Sequence, residues 1–217
     1  MTDRLNIILD NIPKCEKFAD IGCDHGYITK AMLDSAKCDF AIASDISEKC
    51  LEKAKELLSA DIANGKAVAV VSNGFTNLSY VDCALISGMG GEEIIDIITS
   101  AKELPSTLVL QPMKNADKVR EVLLSLGYNI SVDFTFKAGG KYYDLIKGVK
   151  GARKEKLSRA EIKYGKDNLK NKPTAFIEKL NAKISVLDKC LKENDLKFLA
   201  RKKIKKELKE LKKYAKS

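Results

Sequence analysis

The chain has a single histidine and no two cysteines in a C-x-x-C spacing. Its six cysteines, at positions 15, 23, 38, 50, 83 and 190, are therefore read as small thiols in apolar contexts. Neither a metal site nor a disulfide framework is expected, and the setting is a reducing cytoplasm. No run of about 18 apolar residues occurs, so a membrane span is not expected. The polar, charged N-terminus does not read as a signal peptide. Acid is scarce towards the C-terminus. Residues 151–217 carry 22 Lys+Arg against 9 Asp+Glu, a net of +13, whereas residues 1–150 carry 17 against 21, a net of −4. Such a split points to an acidic-to-neutral body over residues 1–151 and a polyanion-binding appendage over 152–217; a Lys-rich solvated coiled coil is the alternative.

What is present begins with Phe18-Ala19-Asp20-Ile21-Gly22-Cys23-Asp24-His25-Gly26-Tyr27: a short buried strand, a turn on two glycines and the start of a helix. Such a unit brings backbone N–H groups and a helix N-terminus to one point. Before it, Leu5, Ile8 and Leu9 share a helical face over residues 3–11. After it the spacing predicts a helix over 27–36, a strand over 40–44, and a helix N-capped by Ser47 with Ile46 and Leu51 as a hydrophobic staple. Further strands are predicted over 67–71, 83–87 and 107–110. Glu92 and Glu93 open one helix, and Asn115 caps another that stops at Gly127. Alternation over 128–136 and an extended run over 142–149, joined by Ala138-Gly139-Gly140, read as a hairpin.

Five βα units and a terminal hairpin predict an α/β fold, a doubly wound, mostly parallel sheet with an antiparallel edge. Beyond it, residues 153–170 read as helical up to Pro173. Two seams follow, Phe176, Leu180, Ile184, Leu187, Leu191 and Leu196, Leu199, Ile204, Leu208, Leu211, with a turn at 192–195. These predict an α-helical coiled-coil hairpin whose second arm carries Arg201, Lys202, Lys203, Lys205 and Lys206.

In doubly wound sheets, ligands bind at the carboxyl ends of the strands, where the odd polar and glycine residues of this chain cluster. The turn is not a G-x-G-x-x-G: Asp24 stands at the middle glycine. A carboxylate there repels a pyrophosphate and favours a cationic or zwitterionic ligand such as S-adenosylmethionine. Asp45 is placed to accept from ribose hydroxyls, and Asn73-Gly74 to read an adenine edge or simply to turn the chain. The cofactor would lie against Asp20, Gly22, Cys23 and Gly26, then Asp45 and Ile46, Asn73 and Gly74, and Ser87 and Gly88. A nicotinamide oxidoreductase would share Asp45 but is opposed by Asp24. A non-catalytic RNA-binding protein would leave the strand ends idle. A methyltransferase acting on protein or small molecules would leave the basic tail unused.

Arg4-Leu5, Asp20-Ile21-Gly22-Cys23-Asp24-His25, Ser87-Gly88-Met89-Gly90-Gly91, Leu110-Gln111-Pro112-Met113 and Lys141-Tyr142-Tyr143, in this order and with the coiled-coil tail, resemble the TrmK family of bacterial tRNA adenine-N1 methyltransferases. Asn73 and Asp133 depart from that family, which more often has Asp and Glu there. The resemblance implies a class I (Rossmann-like) methyltransferase that uses S-adenosylmethionine, acts at tRNA position 22 and is a cytoplasmic monomer without metal. It makes Asp24 and His25 the floor where cofactor and target adenine meet: both are candidates for catalysis, Asp24 as the carboxylate facing the developing charge, with binding of the cofactor as the alternative role for each. It also implies substrate contacts from Arg4, Tyr27, Met89, Lys141 and Tyr142, with Arg201, Lys202 and Lys203 on RNA phosphates. An S-adenosylmethionine-dependent methyltransferase acting on another RNA, a protein or a small molecule is the alternative.

Overall fold

The computed structural model describes residues 1–152, 155–192 and 198–216. Helix α1 (Asp3–Asn11) leads into β1 (Cys15–Ile21), α2 (Tyr27–Asp34), β2 (Cys38–Asp45), α3 (Glu48–Leu57), the short α4 (Ser59–Ala63) and β3 (Ala67–Val71). Then come β4 (Cys83–Met89), α5 (Gly91–Ser100), β5 (Thr107–Pro112), α6 (Ala116–Ser125), β6 (Tyr128–Ala138) and β7 (Lys141–Lys150). The strands form one sheet in the order β3-β2-β1-β4-β5-β7-β6. The first five are parallel; β7 runs antiparallel to β5, and β6 antiparallel to β7 at the edge. Gly139 (φ 53°) and Gly140 (φ 74°) are both left-handed, as a two-residue hairpin turn requires.

Side-chain parity divides the core. Ala19, Ile21, Ile42, Ile86, Leu108 and Leu110 face α5 and α6 through Ile94, Ile98, Val119 and Leu123. Phe18, Ala41, Leu85 and Val109 face α1 and α2 through Ile8, Ile12, Ile28 and Met32. A third cluster, Cys23, Ala43, Leu51, Ala54 and Leu58, seats α3 under the glycine turn. Each large aliphatic side chain buried this way contributes roughly 1.5–3 kcal/mol. The chain winds outward from β1 to β2 and β3, then returns to β4 on the other side of β1. Strand order therefore switches between β1 and β4, where an open α/β sheet leaves a crevice.

Several local expectations are corrected. Ile46 is 70% exposed and staples nothing, while Leu51 is fully buried. Asn115 occupies the cap position of α6 in a left-handed conformation (φ 55°), with its amide turned to Glu92 rather than to the helix. The helical stretch before Pro173 is two helices, α7 (Arg159–Tyr164) and α8 (Lys166–Asn171), broken at Gly165 (φ 89°). Helices α9 (Thr174–Cys190) and α10 (Phe198–Ala215) pack through Phe176, Leu180 and Leu211, with Ile184 and Leu187 alongside. Leu199 is 71% exposed rather than in that seam. Leu196 and residues 193–195 of the expected turn lie outside the described residues.

Candidate active site

The ends of β1, β2 and β4, with the segments that follow β3 and β6, bound a crevice of about 1550 Å³. Asp20, buried at the end of β1, accepts a hydrogen bond from the Thr29 hydroxyl at 3.0 Å. Burial pushes its carboxyl up to about 7; the Thr29 hydroxyl and amide pull the other way without overcoming it. Beyond Asp20 the turn is closed by its own backbone. Ser44 O accepts from Gly22 N (2.7 Å) and Cys23 N (2.9 Å), and Gly26 N donates to Cys23 O (2.8 Å). Asp24 N donates to Asp45 Oδ2 at 3.1 Å, and Ser47 N to Asp45 Oδ1 at 2.9 Å. The turn thus differs from the N–H cradle its glycines suggest: the amides of residues 22, 23 and 24 already have acceptors. The glycines serve shape instead. Gly22 (φ 72°) leaves room for Met89, whose Cε lies 2.0 Å from where a Cβ at Gly22 would stand. Gly26 (φ 73°) lets α2 start against Ala54.

Asp24 is left-handed (φ 50°), and its carboxylate is largely exposed to the crevice. Asp24 Oδ2 lies 2.9 Å from His25 Nδ1, and Lys53 Nζ lies 3.2 Å from His25 Nε2. Because the Lys53 ammonium can only donate, Nε2 is the acceptor and Nδ1 carries the proton towards Asp24. The imidazole lies parallel to the Tyr27 ring, centroids 5.6 Å apart. Tyr27 is half exposed, so the pair presents an aromatic face to solvent. Burial pushes the Cys23 thiol far up, which makes it a wall rather than a nucleophile.

Asp3, Asp20, Asp24, Asp45, Glu93 and Asp96 line the crevice. Among the described residues, Arg4 is its one lysine or arginine. The Arg4 guanidinium lies 5.6 Å over the Tyr143 ring, and its Nη2 is 3.3 Å from where a Cβ on Gly88 would stand. Its Nε is buried without a hydrogen-bond partner among the described residues. Such an acid-lined site, with its turn amides already bonded, suits a cation and repels a phosphate.

Of the residues singled out from sequence, Arg4, Asp20, Gly22, Cys23, Asp24, His25, Tyr27, Asp45, Ile46, Asn73, Gly74, Ser87, Gly88 and Met89 line this one crevice, whereas Gly26 shapes it from beneath. Tyr142 is placed elsewhere: its hydroxyl donates to Glu178 of α9 at 3.1 Å, under Lys137, 5.3 Å from its ring centroid. Lys141 is exposed at the start of β7 and does not line the crevice. Arg201, Lys202 and Lys203 lie on α10. Sequence reasoning did not single out Tyr143 as a site residue, choosing its neighbour Tyr142, which lies on the opposite face of β7. It also missed Glu93 and Asp96, whose i,i+3 spacing puts them on one face of α5. Among the described residues, no group of three or more His, Cys, Asp or Glu side chains is placed to hold a metal ion.

Residues 1–146 match a family model described as a methyltransferase domain. A Mycoplasma pneumoniae protein named putative tRNA methyltransferase is 31% identical over 142 residues, 64% of this chain and 64% of that protein. The tRNA (adenine(22)-N(1))-methyltransferase of Bacillus subtilis is 27% identical over 163 residues, 70% of this chain and 66% of that protein. The chain thus spans slightly less than two thirds of the length of these curated relatives. The solved structure of M. capricolum TrmK with S-adenosyl-homocysteine superposes with a TM-score of 0.89 at 25% identity, covering 99% of this chain and 97% of that one.

Proposed function

The chain belongs to the methyltransferase-domain family, and from that premise we propose that it is a cytoplasmic, monomeric enzyme that methylates N1 of adenine 22 of tRNA from S-adenosylmethionine. The observation that carries the reading is the acid-lined crevice whose turn amides are bonded within the chain. It favours a ligand with a sulfonium and an ammonium and no phosphate. The activity of the Bacillus subtilis relative, a tRNA (adenine(22)-N(1))-methyltransferase, and the S-adenosyl-homocysteine bound to M. capricolum TrmK support the nucleoside, the position and the cofactor.

When bound, S-adenosylmethionine supplies an electrophilic methyl group. The chain's own residues supply position and charge. Asp45 keeps lone pairs beyond the two backbone N–H groups it accepts, and these suit ribose hydroxyls. Asn73, exposed beside Gly74, offers an amide to an adenine edge. Adenine N1 already holds a lone pair at neutral pH, so no general base is needed and orientation dominates. As N1 is alkylated the ring becomes cationic, and the exposed Asp24 carboxylate stabilises that charge. His25, between Asp24 and Lys53, holds Asp24 in place and backs Tyr27 rather than moving a proton. N1 lies on the pairing edge, so the adenine must be unpaired or flipped; the His25–Tyr27 face and Met89 suit such a base. The basic appendage holds RNA phosphates.

Incubating the full chain with methyl-labelled S-adenosylmethionine and tRNA, then digesting to nucleosides, tests this. Label in 1-methyladenosine from a single site is expected. Label in another nucleoside, or in protein alone, would overturn the reading.

A further inference from the structure

Helix α10 is built for water on most of its surface. Leu208 and Leu211 are buried and Ile204 is half-buried, so the inward-facing apolar residues lie in its C-terminal part. At its head, however, Phe198 is 79% exposed and Leu199 71% exposed. No other aromatic side chain among the described residues is this exposed; Tyr27 and Tyr80 follow at 50% and 47%.

Phe198 also has a defined neighbourhood. Lys202, Lys205 and Lys209 follow it at spacings of 4, 3 and 4, which places all four side chains on one helix face. The three lysines are exposed, and none forms an ion pair among the described residues. At about 1.5 Å per residue, the stripe from Phe198 to Lys209 is roughly 16 Å long. Ammonium groups in a row suit a phosphate backbone, and an aromatic ring at its end suits the π-face of an unpaired base. A second copy of this chain fits less well, because it would bring together two segments of net charge +13. An apolar partner is opposed by the flanking lysines.

We propose that Phe198 is a stacking platform for an unpaired base of the RNA substrate, remote from the base that is methylated, with Lys202, Lys205 and Lys209 on the neighbouring phosphates. The proposal rests on the RNA reading given above. Stacking adds affinity without neutralising phosphates, whereas each lysine contact releases counterions, so the two contributions separate in salt.

The test is binding of full-length protein to a tRNA transcript across a series of salt concentrations. Phe198→Ala is expected to weaken binding about tenfold at every salt concentration with an unchanged slope of log K against log salt. Phe198→Trp should restore affinity, which a role in folding or in the packing of α9 on α10 would not allow. The triple change of Lys202, Lys205 and Lys209 to Ala should instead reduce the slope by about 2–3. Wild-type affinity in Phe198→Ala, with the lysine variant weakened, would overturn the platform and leave the RNA reading intact. Failure of the unaltered protein to bind tRNA at any salt concentration would overturn the RNA reading itself. A wild-type dimer that Phe198→Ala dissolves in sedimentation would assign the ring to self-association and overturn the platform.

Discussion

Arg120 and Asp133 form an ion pair with both side chains almost completely buried, 1% and 0% exposed. Arg120 Nε reaches both carboxylate oxygens of Asp133, at 3.0 and 2.9 Å, and Nη2 reaches Oδ1 at 2.8 Å. The unused valences on both sides point into the appendage. Arg120 Nη1 donates to Ile162 O at 3.1 Å, Lys166 N donates to Asp133 Oδ2 at 3.0 Å, and Asp133 N donates to Asp167 Oδ2 at 2.8 Å. Helices α7 and α8 are thereby fastened to β6 and α6 by charge-assisted bonds in a dry environment.

A buried pair is costly to break but cheap to replace as a unit. Arg120→Met, which leaves the buried Asp133 carboxyl without its guanidinium partner, should lower the unfolding free energy by about 3–5 kcal/mol. The double change Arg120→Met with Asp133→Leu should recover most of that loss. Urea unfolding of the wild type, Arg120→Met, Asp133→Leu and their double variant measures it; additive losses would show that the two side chains do not act as a pair.

Asp20 makes both stability and ligand affinity depend on pH. Its carboxyl stands at about 7 in the fold against 3.8 ordinarily, so the folded chain binds this proton more tightly than the unfolded chain does. Its contribution to stability therefore declines as pH rises from about 4 to about 7 and is level above that. A cationic ligand favours the ionised form, so S-adenosylmethionine affinity should rise with pH up to about 7, by no more than tenfold per unit, and then plateau. Calorimetric titration from pH 5.5 to 8.5 reads this directly. Asp20→Asn should flatten the profile, and an unaltered profile in that variant would remove Asp20 as its source.

Asp45 should not tolerate its amide. Each carboxylate oxygen accepts a backbone N–H, from Asp24 and from Ser47, and Asn must turn its NH₂ towards one of them. Asp45→Asn is therefore expected to weaken S-adenosylmethionine binding about as much as Asp45→Ala does, tenfold or more, about 1.4 kcal/mol or above. Near-wild-type affinity in Asp45→Asn would show that the paired N–H contacts do not shape the site.

For Asp24 the informative variant is Asn. Both residues accept the left-handed backbone at φ 50°, whereas Ala adds strain there. Asp24→Asn should lower turnover by about 10–100-fold, the scale of one charge contact to a developing cation, while the cofactor Kd moves only a few-fold. A large loss of affinity with normal turnover would place the carboxylate on the cofactor instead.

Much of this was legible in the sequence because strands buried on both faces read as continuous apolar runs and the polar residues collect where they end. Phe40–Ser44 and Leu108–Leu110 announce themselves in that way. What was not legible depends on partners far along the chain. Whether Tyr142 or Tyr143 faces the crevice is a choice of parity, which local sequence does not record until the strand is docked. Glu93 reads equally well as an acid answering the helix dipole, and Asp96 as a solvated residue on the polar side of α5. The carbonyl of Ser44 gave no sign that it would take two amides of a turn some twenty residues earlier. Nothing in the helical and strand patterns around Arg120 and Asp133 marks them as partners, because 13 residues separate them and only the docked strand brings them together.

The clasp between β6 and α8 gives the molecule a fixed gauge. With α7 and α8 bonded to the sheet through Arg120 and Asp133, the span from the lysines of α10 to the mouth of the crevice is a property of the fold rather than of the ligand. On the tRNA reading proposed above, an RNA would be sorted by the separation between its exposed backbone and its accessible adenine, a length rather than a sequence. Loosening the clasp would blur which adenine is reached before it lowered how tightly the RNA is held.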